Sequence, residues 1–124
     1  MILGVGVDTV SLSRFEGKLT ETPRLKDRLF LDIETIDDGK DASLQTLAGR
    51  FAAKEALIKA LSGDPAIEWH GIEVGKESSG KPVIWLHGET AKLALRAGVR
   101  KLHVSISHDG DVAIAFVIAE GEPQ

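Results

Sequence analysis

Cysteine is absent from the 124 residues. That absence excludes a disulfide framework, a thiol nucleophile and a thiolate metal site, and it agrees with a reducing cytosol. No apolar run approaches the ~20 residues that span a bilayer. The first residues also lack the basic segment and apolar block of a secretory signal, so a cytoplasmic protein with no membrane association is expected. A large excess of one charge is missing too. The net charge of -4 gives no global basic surface to attract nucleic acid or an anionic membrane. "GVGVD" near the start lacks the GxxxxGKS/T pattern and the third glycine of GxGxxG, which excludes both nucleotide-loop motifs.

What remains is the composition of an ordinary globular chain, 43% hydrophobic and 27% charged, long enough for one domain over residues 1–124 with its own core. Its charges are unevenly placed. Arg14, Lys18, Arg24, Lys26 and Arg28 fall in the first quarter, and acids crowd Asp32 to Asp41.

"MILGVGVD" reads as an opening strand, with Leu3, Val5 and Val7 on one face and Gly4, Gly6 and Asp8 on the other. The glycine face is bare enough for another backbone or a ligand to approach closely. Ser11 is placed to cap a helix through Arg14 and Phe15, and Thr22-Pro23 signals the start of another. "IETIDDGKDAS" reads as a loop. Ser43 can cap a long helix that ends near Gly63, before Pro65. On that helix Leu44, Leu47, Phe51, Ile58 and Leu61 form one apolar stripe. Lys54 and Glu55 interrupt the stripe or flank it, and Lys59 lies just past its edge. "IEWHGIEVGKE", "KPVIWLHG", "KLHVSISH" and "DVAIAFVIAE" are strand candidates, with "ETAKLALRAG" a short helix and Asp109-Gly110 a hairpin turn. "VAIAFVI" has no polar alternation and is expected to be covered on both faces. The order predicts an α+β fold, one long helix laid on an antiparallel sheet.

Several residues carry chemical potential. Taken singly, Glu55 reads as an i,i+4 partner of Lys59 and Asp8 as a cap at a strand end. Taken together, two carboxylates without any cysteine make a hard oxygen site for a divalent ion such as Mg²⁺, with positions left for water and phosphate oxygens. Lys54, Lys59 and Lys81 of "SSGKP" supply cations for such phosphates. In "SISHDG", Ser107 and His108 are adjacent on a strand and point to opposite faces, so no Ser–His hydrolase pair forms. No G-x-S-x-G elbow is present either. His108 reads better as a phosphate or sugar contact. His70, His87 and His103 lack metal-ligand spacing.

"GVGVDTVSLSRF", "LAGRFAAKEALIKAL", "GKPVIWL" and "HVSISHDGDVAIAFVIAE", in that order and spacing, resemble the holo-[acyl-carrier-protein] synthase family. This is the small trimeric class of 4'-phosphopantetheinyl transferases. The resemblance covers nearly the whole chain and implies that fold. It implies transfer of 4'-phosphopantetheine from coenzyme A to a serine of apo acyl carrier protein, with adenosine 3',5'-bisphosphate as the other product, a step that serves fatty acid biosynthesis. It assigns Asp8 and Glu55 to magnesium, and Lys59 to the coenzyme A diphosphate. Arg50, Lys54, Gly80, Lys81 and Pro82 are assigned to coenzyme A, and His108 to the adenosine 3'-phosphate. Arg14 is assigned to the carrier protein, and Arg24 and Arg28 extend its basic face. It also implies a homotrimer with sites between subunits. The competing reading is a non-catalytic trimer that binds coenzyme A or a nucleotide.

Overall fold

The first strand, β1 (Ile2–Ser11), pairs antiparallel with the last, β7 (Val112–Gly121). β7 also pairs with β6 (Val99–Asp109), giving a three-stranded sheet of order β1-β7-β6. These relations come from a computed structural model that describes every residue from Met1 to Gln124. The remaining elements are α1 (Leu12–Glu21), α2 (Leu25–Leu29), a two-residue hairpin of β2 (Ile36–Asp37) and β3 (Lys40–Asp41), and α3 (Leu44–Ala60). After them come a second hairpin of β4 (Ile72–Lys76) and β5 (Pro82–Leu86), and then α4 (Gly88–Arg96). The long helix does lie on the antiparallel sheet, as an α+β architecture requires. No helix is long and apolar enough to cross a membrane.

The glycine face of β1 decides where α3 sits. A Cβ on Gly4 would collide with the carbonyl oxygen of Ala60, and one on Gly6 with that of Ala56. The helix backbone therefore rests directly on the strand backbone. The residues that allow this on the helix are Ala52, Ala56 and Ala60, all buried, above Ala115, Val117 and Ala119 of β7. This corrects the expected leucine stripe. Leu47, Leu57 and Leu61 are buried, but Leu44, Phe51 and Ile58 are only partly so, and small residues provide the close contact with the sheet. A chain of aromatic contacts secures a different flank of α3. Phe51 stacks on Phe15 of α1 with centroids 5.1 Å apart, and it contacts Trp69 at 5.7 Å.

Helix starts follow local chemistry. The Ser11 hydroxyl accepts from Arg14 N, and the Ser43 hydroxyl from Thr46 N. α1 gains a second anchor from the β6–β7 turn, where Asp111 accepts from Ser13 N and from the hydroxyls of Ser11 and Ser13. Those bonds hold the Asp111 carboxyl below its ordinary range. The turn residues are Gly110 and Asp111, one position later than expected, with Gly110 at φ +57°.

Four expectations are revised. α2 begins at Leu25 after an Arg24 N-cap, because Thr22 and Pro23 form a turn in which the Thr22 carbonyl accepts from Leu25 N. The segment taken as a loop holds a 3-10 turn (Asp32–Thr35) and the β2–β3 hairpin, whose Asp38 and Gly39 both adopt positive φ. A bulge between Ile2 and Gly4 turns Leu3 onto the core, away from the face of Val5 and Val7. β7 is covered on one face only: Ala113, Ala115, Val117 and Ala119 are buried, whereas Ile114 and Phe116 are 39% and 43% exposed. Alanine is apolar enough to hide the alternation from a hydropathy reading.

The β1–α3 contact yields a paired prediction. Gly6→Ala should cost about 1–3 kcal/mol or more through overpacking against backbone that cannot yield. Gly17→Ala in α1, where a Cβ meets open space, should stabilise by about 0.5–1 kcal/mol through helix propensity. Urea unfolding midpoints of the two variants check both signs.

Candidate active site

Asp8 follows Gly6 on the same face of β1, so the close helix contact that the glycines permit carries the carboxylate alongside α3. There it shares a cleft of about 330 Å³ with Glu55, Ser11, Arg14 and Lys18. Val10, Phe15, Leu25, Leu29 and Phe51 form the apolar wall of the cleft. Lys59, one turn beyond Glu55, donates to the Val7 carbonyl at 2.9 Å and to Asp8 Oδ1 at 3.1 Å. The ion pair of Lys59 is thus made with the strand carboxylate, and not with Glu55 at i-4. Arg14 and Lys18 line the cleft, and Arg24 and Arg28 are exposed nearby in sequence, with the exposed acids Glu16, Glu21 and Asp27 interspersed.

Glu55 is electrostatically uncomfortable. Desolvation, and then the negative charge of Asp8, push its carboxyl above the ordinary value of 4.5, while Lys59 and Lys18 pull it partly back. Two carboxylates lining one cleft and acting on each other electrostatically match how Mg²⁺ is usually held: by one or two carboxylates plus water and substrate phosphates. No group of three or more His, Asp or Glu assembles that would form an all-protein cage.

A second cleft, of about 240 Å³, opens at the other end of α3. Arg50, Gly80, Pro82 and His108 all line it, together with Lys76, Asp37 and Thr46. Lys81 does not; it stays exposed on the turn beside it. His108 lies on the α3 face of β6, opposite Ala113, and its Nε2 is 2.8 Å from the Gln45 carbonyl in the first turn of α3. Ser107 lies opposite Ile114 on the outer face, which removes the hydrolase pairing. Gly49 provides the room for His108, since a Cβ there would lie 3.1 Å from its ring. Within one chain the two clefts are separate. Arg50 precedes Glu55 by five residues, about 7.5 Å along the helix axis and about 140° around it.

Lys54 is a correction. It enters neither cleft and is fully buried. Its ammonium donates to Glu34 Oε1 at 2.6 Å and to the carbonyls of Trp69 at 2.9 Å and Ile72 at 2.7 Å. It also lies 5.4 Å from the Phe30 ring centroid. Glu34, equally buried, accepts further from Leu31 N and Val74 N. Desolvation pulls the Lys54 pKa down, against the opposing pull of Glu34. Such a pair is stable only when every donor and acceptor is satisfied, as here. Arg50 is half-committed in the same way, donating to the carbonyls of Glu34 at 2.6 Å and Ile36 at 3.1 Å.

Sequence reasoning did not single out Glu34 or Lys76, and it placed Lys18 only in a general basic cluster. Glu34 sits in an acid-rich segment where nothing distinguishes it from its exposed neighbours. Lys18 could have been found from its position one helical turn after Arg14.

The chain is similar to known proteins in sequence and in fold. Residues 4–117 match the 4'-phosphopantetheinyl transferase superfamily model. The holo-[acyl-carrier-protein] synthase of Streptomyces griseus is 48% identical over 98% of this chain and 100% of its own length. Among solved structures, the ACPS-CoA complex of Chronobacterium ammoniagenes superposes with a TM-score of 0.84 at 32% identity, covering 96% of this chain and 97% of that one. The holo-[acyl-carrier-protein] synthase of Helicobacter pylori in complex with coenzyme A gives 0.78 at 28% identity, over 94% and 99%.

The strain on Glu55 fixes a sign. Its pKa is raised by folding, so the native state binds more protons between the unfolded and folded values, and stability falls as pH rises through that interval. In metal-free protein, Glu55→Gln should therefore raise the urea midpoint at neutral pH and lose that advantage below pH ~4, where both forms are uncharged. An NMR titration should find the Glu55 carboxyl above 4.5, and Asp8→Asn should bring it down.

Proposed function

The chain belongs to the 4'-phosphopantetheinyl transferase superfamily and transfers phosphopantetheine from coenzyme A to acyl carrier protein, and we propose that Asp8, Glu55 and Lys59 carry that transfer as parts of one 4'-phosphopantetheinyl transferase domain over residues 1–124. The observation that supports this most directly is the convergence of Asp8 and Glu55 in one cleft, with the charge of Asp8 acting on Glu55.

Asp8 and Glu55 would hold Mg²⁺, which would screen the diphosphate charge that otherwise repels an attacking oxygen. Lys59, fixed by Val7 and Asp8, adds a cation where charge builds on the departing bisphosphate. Glu55 or a water in this cleft would receive the serine proton. Most of the acceleration is assigned to positioning and charge, since phosphoryl transfer asks for little covalent help from protein. Arg50, Gly80, Pro82 and His108 bind the coenzyme in the second cleft, with Lys81 at its margin. Arg14, Arg24 and Arg28 present a basic surface to the acidic carrier. These substrates support a cytoplasmic reaction, and the family supports a role in fatty acid biosynthesis.

The separation of the two clefts within one chain supports a homotrimer in which neighbouring subunits complete each site. A candidate contact surface is available. Val5, Val7, Ile114 and Phe116 leave an apolar patch on the outer face of the sheet, each 39–53% exposed, and patches of this kind mark association surfaces.

Two experiments test these assignments. Incubated with coenzyme A, Mg²⁺ and apo carrier protein, the enzyme should add one phosphopantetheine to the carrier, measured by mass. Glu55→Gln should fold yet lose metal-dependent turnover by at least about 100-fold, the range of a lost electrostatic contact to a transition state. Arg14→Glu should raise KM for the carrier far more than that for coenzyme A. Coenzyme A binding with no mass gain on any carrier would favour the non-catalytic alternative. In the second experiment, Phe116→Glu should convert a trimer to folded monomers in analytical ultracentrifugation and abolish turnover; active monomers would refute a shared site.

A further inference from the structure

We infer that Lys76 is a further anion-binding residue of the second cleft, and that Asp37 and Asp38 of the β2–β3 hairpin set how much of its charge a bound phosphate receives. The inference rests on the proposal that this cleft takes part of the coenzyme.

Three side chains lining the cleft can carry positive charge: Arg50, His108 and Lys76. Their free donors differ. Arg50 is 7% exposed and its Nη1 is spent on the carbonyls of Glu34 and Ile36. His108 has Nε2 engaged with the Gln45 carbonyl, so its other nitrogen offers a proton only in the charged imidazolium form. Lys76 is the one ammonium in the lining. Its Nζ lies 2.9 Å from Asp37 Oδ1 and 3.0 Å from Asp38 Oδ2, with its side chain 36% exposed. An ammonium has three protons. Asp38 accepts one of them and Asp37 is an ion-pair partner without hydrogen-bond geometry, so at least one N–H is left for a phosphate oxygen.

The hairpin makes the arrangement adjustable. Asp37 also lies 3.7 Å from Arg50 Nη2 and lines the cleft itself, whereas Asp38 is outside the cleft and its side chain is 79% exposed. The two carboxylates hold the lysine in place before a ligand arrives, and they also offset the charge it presents. A third anion at Lys76 is then bound by a preorganised but partly neutralised cation. Removing Asp38 should strengthen phosphate binding, the reverse of what a purely structural ion pair predicts.

The test measures steady-state KM for coenzyme A and for dephospho-coenzyme A, which lacks the 3'-phosphate. Lys76→Met should raise KM for coenzyme A by roughly tenfold, the range of one hydrogen bond to a charged group, with little change in kcat. A rise confined to coenzyme A assigns the contact to the 3'-phosphate, and an equal rise for both assigns it to the diphosphate. Lys76→Arg should restore most of the affinity. Asp38→Asn should lower KM for coenzyme A severalfold; unchanged or weaker binding in that variant overturns the inference, and it decides the matter if Lys76→Met does not fold. His108→Ala separates the two layers of argument. If His108→Ala weakens coenzyme A binding and Lys76→Met does not, Lys76 is only a structural partner of the hairpin. If neither variant weakens it, the cleft does not take the coenzyme and the inference falls with that proposal.

Discussion

No side chain fits between β1 and α3. Gly4 and Gly6 face the carbonyls of Ala60 and Ala56 so closely that a single methyl group would displace the helix. The rest of the site follows from that contact. With the helix seated on bare strand backbone, Asp8, the next residue on the glycine face, has α3 beside it and shares a cleft with Glu55. The same register gives Lys59 the Val7 carbonyl and the Asp8 carboxylate as partners. A bulkier inner face would hold the helix farther away, and the two carboxylates would become unrelated surface charges. Burial first, and then the charge of Asp8, raise the proton affinity of Glu55 in the bare protein, a perturbation of the kind that clusters at functional sites.

A second constraint fixes the opposite flank of the helix. The buried Lys54–Glu34 pair joins α3 to the segment after α2 and to β4, using every ammonium proton and both carboxylate oxygens. Because such a network tolerates little displacement, it fixes Arg50 and Val74, both of which line the second cleft. One helix thus has three jobs by rotation: alanines to the sheet, Glu55 to the first cleft with Lys59 bonded to Asp8 beside it, and Lys54 to the core.

The chain transfers phosphopantetheine from coenzyme A to acyl carrier protein, and on the proposed reading its uneven charge distribution serves both substrates despite a net charge of -4. Basic residues gather on α1 and α2 and around the second cleft, while acids offset them in the β2–β3 hairpin. The proposed trimer gives the two clefts a reason to be apart: each subunit would offer half of a site, and the apolar outer face of the sheet would hold the halves together.

The local pattern of the sequence determined the elements, because caps, glycines and strand periodicity act over a few residues. Ser11 and Ser43 cap the helices they were expected to cap, and the long helix and the four later strands were legible. So was the family, from the order of its motifs. Which side of α3 faced what was not legible. Lys54 and Glu55 are neighbours in sequence, 100° apart on a helix. Only the tertiary structure decided that one is neutralised in the core and the other strained in a cleft. The same holds for Glu34, whose partners are 20 and 40 residues away, and for β7, whose alanines and isoleucines look alike in hydropathy until a helix covers one face. Periodicity tells which residues share a face; packing against distant chain decides what that face meets, and with it the charge state and role of each side chain.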